Sequence, residues 1–165
     1  MAIAIGIDPG ATGAIAFLDG DSQYVFDFGD DGFKEALRYY AGMVGCIVLI
    51  ETQSPHKQAG KKNDDGSDKW QGAISSGRLM TNYGRWKGRL DMVGIGFKEV
   101  YAATWRAALC KGHPLYRVKG RSKDLSLEMA RKFFPGMEKH LKRKRDNGRA
   151  DALLIALYAK KFLTK

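Results

Sequence analysis

Three acidic residues of this chain stand in stretches that are otherwise apolar. Asp8 directly follows the β-branched run Ala2–Ile7, and Glu51 closes a similar run that begins at Cys46. Asp151 shares one face of a helical pattern with the apolar side chains of Leu154, Ile155, Tyr158 and Phe162. A lone carboxylate in such surroundings would protonate, so these side chains need hydrogen bonds, paired charges or a metal ion. For Asp8 alone, capping of the following turn is the simpler alternative.

Grouping the three carboxylates requires cations. Two carboxylates about 4 Å apart repel by about 4 kcal/mol at an effective dielectric constant of about 20, whereas a helix amino terminus favours a carboxylate by about 1 kcal/mol at most. Hard oxygen ligands with open positions for phosphate and water are typical of Mg²⁺ and not of zinc. Two such ions could activate water and stabilise the leaving oxygen of a phosphodiester. The acids therefore predict a magnesium site suited to phosphodiester hydrolysis.

The elements that carry the first two acids predict a mixed sheet. Three short strands come first, and the Pro-Gly and Asp-Gly-Asp signals between them favour an antiparallel meander. These strands are Ala2–Ile7, Gly13–Leu18 and Gln23–Phe28. A helical pattern that ends at Gly42 leads to the strand Cys46–Glu51, which we expect to lie parallel to the first strand because a helix connects the two. Asp8 and Glu51 would then be neighbours at one edge of the sheet.

The middle of the chain predicts a loop and a long helix. Thr52–Lys69 is rich in Lys, Asp, Gly and Ser, which favours a mobile surface loop, either a solvated connector or a substrate contact. Trp70–Leu90 predicts a helix with an apolar stripe and a second stripe of small residues, Ala73, Gly77, Thr81, Gly84 and Gly88. Repeated glycine indicates close approach by other backbone, from a partner helix or from DNA. Two shorter helices, broken near Gly77 or Gly84, are the alternative.

The remaining patterns complete an α/β domain that spans residues 1–165. Gly96–Tyr101 predicts a fifth strand, and Thr104–Leu109 a short helix capped by Thr104. Ser122 is expected to cap a helix that ends at Pro135-Gly136, and the last helix is expected to begin near Asn147-Gly148. The predicted fold is a five-stranded mixed sheet with antiparallel first three strands, flanked by helices.

The charge of the chain favours a polyanionic partner. Lys and Arg outnumber Asp and Glu by 28 to 18, which gives a net charge of +10, and nucleic acid is the leading candidate. No apolar run approaches the roughly 20 residues of a membrane-spanning helix, and we expect no membrane association. The amino terminus lacks the pattern of a signal peptide. Cys46 and Cys110 are expected to be buried in a reducing compartment, which points to the cytoplasm.

Three motifs resemble the RuvC family of Holliday junction resolvases, particularly its bacteriophage-type members. They are Gly6-Ile7-Asp8-Pro9-Gly10 after the first strand, Ile50-Glu51 closing the fourth, and Arg149-Ala150-Asp151-Ala152-Leu153-Leu154-Ile155-Ala156 in the last helix. The resemblance implies a ribonuclease H-like fold and a homodimer in the cytoplasm of a bacterium or a phage-infected host. It also implies Mg²⁺-dependent nicking of two opposed strands of a four-way junction, with two ions per site and with Mn²⁺ as a substitute.

The same resemblance assigns roles to single residues. Asp8, Glu51 and Asp151 match the family's metal-binding acids, and Lys123 looks like the basic residue that reaches the site. The fourth ligand of the bacterial pattern falls at Gly148 here. The nearest carboxylate is Asp146, which we predict as a ligand with a helix cap as the alternative. The bacterial family has an aromatic residue shortly after the strand-four glutamate, and here Trp70 or Tyr83 are the candidates for opening the crossover.

Eight Lys and Arg residues that lie apart from the predicted metal site are predicted to contact DNA phosphates. They are Lys57, Arg78, Arg85, Arg117, Lys119, Arg121, Lys142 and Arg143. A less selective ribonuclease H-like nuclease, acting on branched DNA, RNA:DNA hybrid or precursor RNA, is the main alternative function. A non-catalytic junction-binding protein would explain the charge but not the three acids in apolar surroundings.

Overall fold

A computed structural model describes residues 3–10, 13–41, 43, 45–55, 57–70 and 72–163, apart from the side chains at 41, 57–60 and 68. Ala2 and Gly42, which we predicted as ends of elements, lie outside the described residues. The strands are β1 (Ile3–Asp8), β2 (Ala14–Asp19), β3 (Ser22–Asp27), β4 (Cys46–Glu51), β5 (Lys57–Lys62), β6 (Asp68–Trp70) and β7 (Lys98–Val100). The helices are α1 (Gly32–Ala41), α2 (Ala73–Met92), α3 (Ala102–Cys110), α4 (Ser122–Phe133) and α5 (Asn147–Phe162). Two 3₁₀ helices, Pro135–His140 and Lys144–Asp146, lie between α4 and α5.

The central sheet has the strand order β3-β2-β1-β4-β7. The first three strands pair antiparallel, and β4 lies parallel to both β1 and β7. The predicted five-stranded mixed sheet is thereby confirmed. Ile7 pairs with Ile50, so the following residues, Asp8 and Glu51, end their strands side by side at one edge of the sheet.

Helices cover both faces of this sheet. Side chains alternate between the faces along a strand, so Ile5 and Ile7 of β1 pack with Phe33 of α1 and Trp86 of α2. The opposite face, which carries Ala4 and Leu49, packs against α3, α4 and α5. None of the helices formed by the described residues is long and apolar enough to cross a membrane.

Helix α5 lies directly on β1 because Gly6 has no side chain. A Cβ atom at Gly6 would overlap the carbonyl oxygen of Ala152 and the backbone nitrogen of Ala156. Ala152, Leu153 and Ala156 of α5 are fully buried in the same contact. Backbone thus packs on backbone, and the first turn of α5 reaches the edge where β1 ends.

Several predicted boundaries are wrong. The stretch Thr52–Lys69, predicted as a loop, contains the antiparallel strands β5 and most of β6. Their polar sequence has the composition that is typical of a loop. Its turn is closed by the side chains of Asn63 and Asp65, which hydrogen-bond Ser67. The fifth strand is shorter than predicted and covers only Lys98–Val100.

The helix starts also differ from prediction. Helix α2 begins at Ala73, because Trp70 ends β6, and then runs without a break to Met92, so the two-helix alternative is wrong. Helix α3 begins at Ala102, which places Thr104 inside the helix instead of at its cap. Ser122 is the first residue of α4 and not its cap.

Candidate active site

Asp8 is held at the end of β1 by a tight turn. The backbone N–H of Gly10 donates to its Oδ1 at 3.0 Å, and only 7% of the residue is exposed. A Cβ at Gly13 would overlap the backbone oxygen of Asp8, so the chain can fold back here only with glycine. Burial, followed by the charges of Asp151 and Glu51, raises the pKa of Asp8 well above its ordinary value. The turn therefore fixes a carboxylate that has little access to water.

Glu51 is oriented by two side-chain donors. The indole N–H of Trp105 donates to Oε2 at 2.9 Å, and the amide of Gln53 donates to Oε1 at 3.1 Å. Trp105 is fully buried on α3. Burial and the charge of Asp151 raise the pKa of Glu51, while the charge of Arg106 acts in the opposite direction. Both oxygens of this carboxylate are therefore fixed from the protein side.

Asp151 reaches the same place from the first turns of α5. Arg106 Nη2 lies 3.3 Å from its Oδ2, and its Oδ1 is buried without a hydrogen-bond partner among the described residues. Burial raises the pKa of Asp151, while the charge of Arg106, hydrogen bonding by Ser126 and Arg106, and the charge of Lys123 lower it in part. Lys123 is an exposed residue of α4, and its charge acts on Asp151 from the surface.

The three acids form one electrostatic group, here called the acid cluster: Asp8, Glu51 and Asp151. The alternation along β1 and β4 turns Asp8 and Glu51 to the sheet face that α3 and α5 cover. As they stand, no three acidic, histidine or cysteine side chains among the described residues are close enough together to hold a metal ion. Repulsion between buried carboxylates opposes closer approach in the absence of a cation.

The chemistry of the acid cluster nevertheless fits a hard divalent cation. All its donor atoms are carboxylate oxygens, which Mg²⁺ prefers. Asp151 Oδ1 is buried and unpartnered, and such an atom costs free energy unless something binds it. Burial raises the pKa of each of the three acids. The positive charges and hydrogen-bond donors of the described side chains therefore do not fully offset the cost of burying these carboxylates.

Asp146 has contacts of a different kind. It is 5% exposed and closes the short 3₁₀ helix by accepting from the backbone N–H of Arg143 at 2.8 Å. The guanidinium of Arg143 donates to Asp146 Oδ1 at 2.9 Å. Burial raises the pKa of Asp146, but the hydrogen bonds from Arg143 outweigh it and hold that pKa below its ordinary value. These hydrogen bonds are those of a helix-capping residue, which was the alternative role for Asp146. Metal binding by Asp146 stays a prediction.

The predicted DNA-contacting residues lie at the surface wherever their side chains are described. Exposed members are Arg78, Arg85, Arg117, Lys119, Arg121, Lys142 and Arg143. The side chain of Lys57 lies outside the described residues. Arg117 stands in the left-handed region, with φ of 65°, and its guanidinium lies 5.3 Å from the centre of the Tyr116 ring. Arg121 pairs with Asp124 at 2.6 Å, which leaves it less free than its neighbours to meet a phosphate.

Three residues of the site were missed by sequence reasoning, namely Gln53, Trp105 and Arg106. The pair Trp105-Arg106 was read only as part of a short helix. Their position in the chain could have indicated this role. Helix α3 directly follows β7, which is parallel to β4, and residues just after parallel strands lie together at one edge of the sheet.

Comparisons with known proteins agree with this architecture. No family model matches the chain. An 88-residue stretch, 53% of the chain, is 39% identical to the chloroplastic Holliday junction resolvase MOC1 of Chlamydomonas reinhardtii. That match covers 9% of the relative, so the chain spans only a small part of the curated protein that it resembles.

Two solved structures match over nearly the whole chain. One is Thermus thermophilus RuvC in complex with a Holliday junction substrate, with a TM-score of 0.53, 18% identity, and coverage of 97% of this chain and 93% of that one. The other is the T. thermophilus RuvC structure, with a TM-score of 0.51, 18% identity, and coverage of 98% and 97%.

The sheet and its helices have a ribonuclease H-like fold. Within that fold class the chain has the fold of RuvC, and part of its sequence is homologous to a Holliday junction resolvase. The resemblance carried by the sequence motifs is confirmed at this level.

Proposed function

We propose that this chain is a divalent-metal-dependent endonuclease that resolves four-way DNA junctions by paired incisions. The observation that carries the proposal is the acid cluster: three buried carboxylates from β1, β4 and α5 at one edge of a RuvC-like sheet, where the charge of Asp151 raises the pKa of both Asp8 and Glu51. Burial of three carboxylates costs free energy, so stabilisation of the fold does not explain their presence. A phosphodiester hydrolase that binds divalent cations explains why they are kept together.

Asp8, Glu51 and Asp151 are the residues that would hold Mg²⁺, with two ions per site and with Mn²⁺ as a substitute. When bound, the cations would supply an activated water and charge stabilisation at the scissile phosphate. Asp146 is the fourth acid proposed from its position in the chain. The hydrogen bonds from Gly10, Trp105 and Gln53 orient the first two carboxylates before any substrate arrives.

Basic residues supply affinity and a catalytic charge. The ammonium group of Lys123, whose charge already acts on Asp151, would stabilise negative charge that develops on the phosphate. The exposed basic residues named above would bind phosphates irrespective of sequence. Junction DNA would thus be bound by many exposed Lys and Arg side chains, while hydrolysis would depend on the few buried carboxylates of the acid cluster.

A homodimer would give each of the two opposed strands its own site. We propose that the small-residue face of α2 forms the contact. A Cβ atom at Gly77, Gly84 or Gly88 would meet nothing within 4 Å in the single chain, so this face has room for another helix. Close helix packing uses small residues in this way.

A cleavage assay on four substrates tests the proposal. Labelled four-way junction, three-way junction, duplex and RNA:DNA hybrid would be incubated with MgCl₂, MnCl₂ or EDTA. We expect paired nicks in the four-way junction only with the divalent ion, and none from Asp8→Asn, Glu51→Gln or Asp151→Asn, which should still bind the junction. Equal cleavage of duplex or hybrid would support the less selective nuclease, and junction binding without cleavage would support the non-catalytic alternative.

A further inference from the structure

Arg106 is the positive charge that the protein itself places against all three acids. It lowers the pKa of Asp8, Glu51 and Asp151, and its charge is the strongest of the influences that lower the pKa of Asp151. Its guanidinium lies 4.7 Å from the centre of the Trp105 ring, and Trp105 donates to Glu51. Two consecutive residues of α3 therefore connect the acid of β4 to the acid of α5.

The ion pair between Arg106 and Asp151 is incomplete. A single contact of 3.3 Å joins Nη2 to Oδ2, while Arg106 Nε and Asp151 Oδ1 are both buried without a partner among the described residues. Arg149 and Asp27 show what a complete pair looks like in this chain, with two parallel hydrogen bonds of 2.7 Å and 2.5 Å. Pairs of Arg and carboxylate are frequently bidentate, and the second hydrogen bond adds strength and fixes the geometry. Arg106 is thus held near Asp151 more by burial and charge than by hydrogen bonds.

An open groove gives the guanidinium another place to lie. The groove has a volume of about 370 Å³, lies between α3 and the segment before α4, and is lined by Arg106 together with Tyr116, Arg117 and Ser122. The side chain of Arg106 is already 25% exposed. A rotation about its own side-chain bonds would carry the charge from Asp151 to the groove without movement of the helix.

We infer that Arg106 is a positioning residue that stands in for a divalent cation, holding the acid cluster together when no metal is bound and leaving Asp151 for the groove when metal binds. The inference rests on the proposed function, because it assigns the acid cluster to a divalent cation. In the groove the guanidinium would join Arg117 at the surface proposed to meet DNA, where a phosphate could replace Asp151 as its partner. Arg106 would then couple cation binding to substrate binding.

The consequence is competition between Arg106 and the cation. A positive charge beside the acids opposes the entry of a divalent ion, so its removal should tighten binding by at least about tenfold. We would titrate wild type, Arg106→Gln and Arg106→Lys with MgCl₂ or MnCl₂ alone, without DNA, by calorimetry. Arg106→Gln should bind the ion at least tenfold more tightly. Arg106→Lys should retain the wild-type affinity, because it keeps the charge.

Melting temperatures in EDTA and in MgCl₂ give the second readout. Arg106→Gln should melt well below wild type in EDTA, and the deficit should largely disappear in MgCl₂, because the cation then replaces the missing charge. Arg38→Gln removes one exposed charge from α1 and is the matched control, with unchanged affinity and an equal melting shift in both solutions. If Arg106→Gln is folded only with MgCl₂, the inference is supported. If it does not fold in either solution, the cation does not replace the charge of Arg106, and the inference is overturned.

Other outcomes separate this inference from the proposed function. A wild type that binds Mg²⁺ but an Arg106→Gln that binds it equally or more weakly would overturn the role of Arg106 alone. A wild type that binds Mg²⁺ without cutting any junction would overturn the nuclease and leave the competition at the acid cluster intact. An equal loss of melting temperature in EDTA and MgCl₂ would reduce Arg106 to an ordinary structural residue.

Discussion

At the scale of single residues, the acid cluster makes the metal-free protein sensitive to pH. Asp8, Glu51 and Asp151 have folded-state pKa values raised above their ordinary 3.8 or 4.5. The folded chain therefore holds these protons more tightly than the unfolded chain does. The stability they contribute is fully present below the ordinary values and is lost as pH rises through the raised ones.

We therefore expect the melting temperature in EDTA to fall with rising pH above about 4.5, through the contribution of the cluster. Asp8→Asn should reduce this fall, because one titrating group is gone. Asp65→Asn is the control, since Asp65 is exposed in the β5–β6 turn and its pKa is lowered. Thermal melts of the three proteins over a pH series check the prediction, and equal slopes for all three would contradict it.

Asp146 should behave as a cap in a stability measurement. Asp146→Asn removes the partner of Arg143 and should destabilise the fold by about 1–2 kcal/mol, a few degrees in Tm. Arg143→Gln should cost less, since the backbone hydrogen bond to Asp146 remains. Cleavage rates for both variants decide the other role. A loss of at least about tenfold in Asp146→Asn alone, equal to about 1.4 kcal/mol, would identify Asp146 as a metal ligand.

Substitution of Lys123 and substitution of Lys142 and Arg143 should affect different steps, the first turnover and the second DNA binding. Lys123→Gln should lower turnover more than junction affinity, because its charge acts at the acid cluster. The double variant Lys142→Gln and Arg143→Gln should mainly weaken binding, because these side chains are exposed. Binding at several salt concentrations separates the two. An unchanged salt slope in the double variant would show that this run does not contact the DNA backbone.

At the scale of elements, the site depends on the contact between β1 and α5. Gly6→Ala inserts a methyl group where the backbone of Ala152 and Ala156 already lies, and overpacking of this kind costs about 1–3 kcal/mol. We expect a lower melting temperature and slower cleavage, because α5 and Asp151 must move away. Gly136→Ala is the matched control, since its Cβ also meets nothing within 4 Å and Gly136 lies outside the proposed dimer face. Comparable stability of the two variants would contradict the prediction.

The elements also show how far the sequence alone reaches. The antiparallel first three strands, the parallel β1–β4 pair and the neighbouring positions of Asp8 and Glu51 follow from apolar periodicity and chain connections. The approach of Asp151 depends in addition on the packing of α5 against β1. The β5–β6 pair could not be predicted, because its polar residues carry no alternation and its turn depends on side-chain hydrogen bonds at Ser67. Trp105 and Arg106 were missed because their contacts with Glu51 and Asp151 join residues 54 and 45 positions apart. Such partners become visible only once the layers are packed.

At the scale of the whole molecule, the proposed dimer contact through the small-residue face of α2 predicts that the two incisions are coupled. Gly84→Leu should leave the single chain folded, because the side chain points into open space, but should block close packing with a second α2. Sedimentation should then give a monomer, and the junction should receive single nicks. Gly136→Leu adds the same side chain at another open position and should remain a dimer. A Gly84→Leu dimer with coupled incisions would instead assign this face to DNA.

The absence of a side chain at Gly6 has a consequence for heat inactivation. Because the strand that supplies Asp8 and the helix that supplies Asp151 touch through their backbones, no layer of side chains between them can soften before the fold is lost. The spacing of the two carboxylates should then persist up to the unfolding transition. The proposed cleavage activity, plotted against temperature, should therefore end abruptly at that transition, without a preceding range in which cleavage by the folded protein becomes steadily slower.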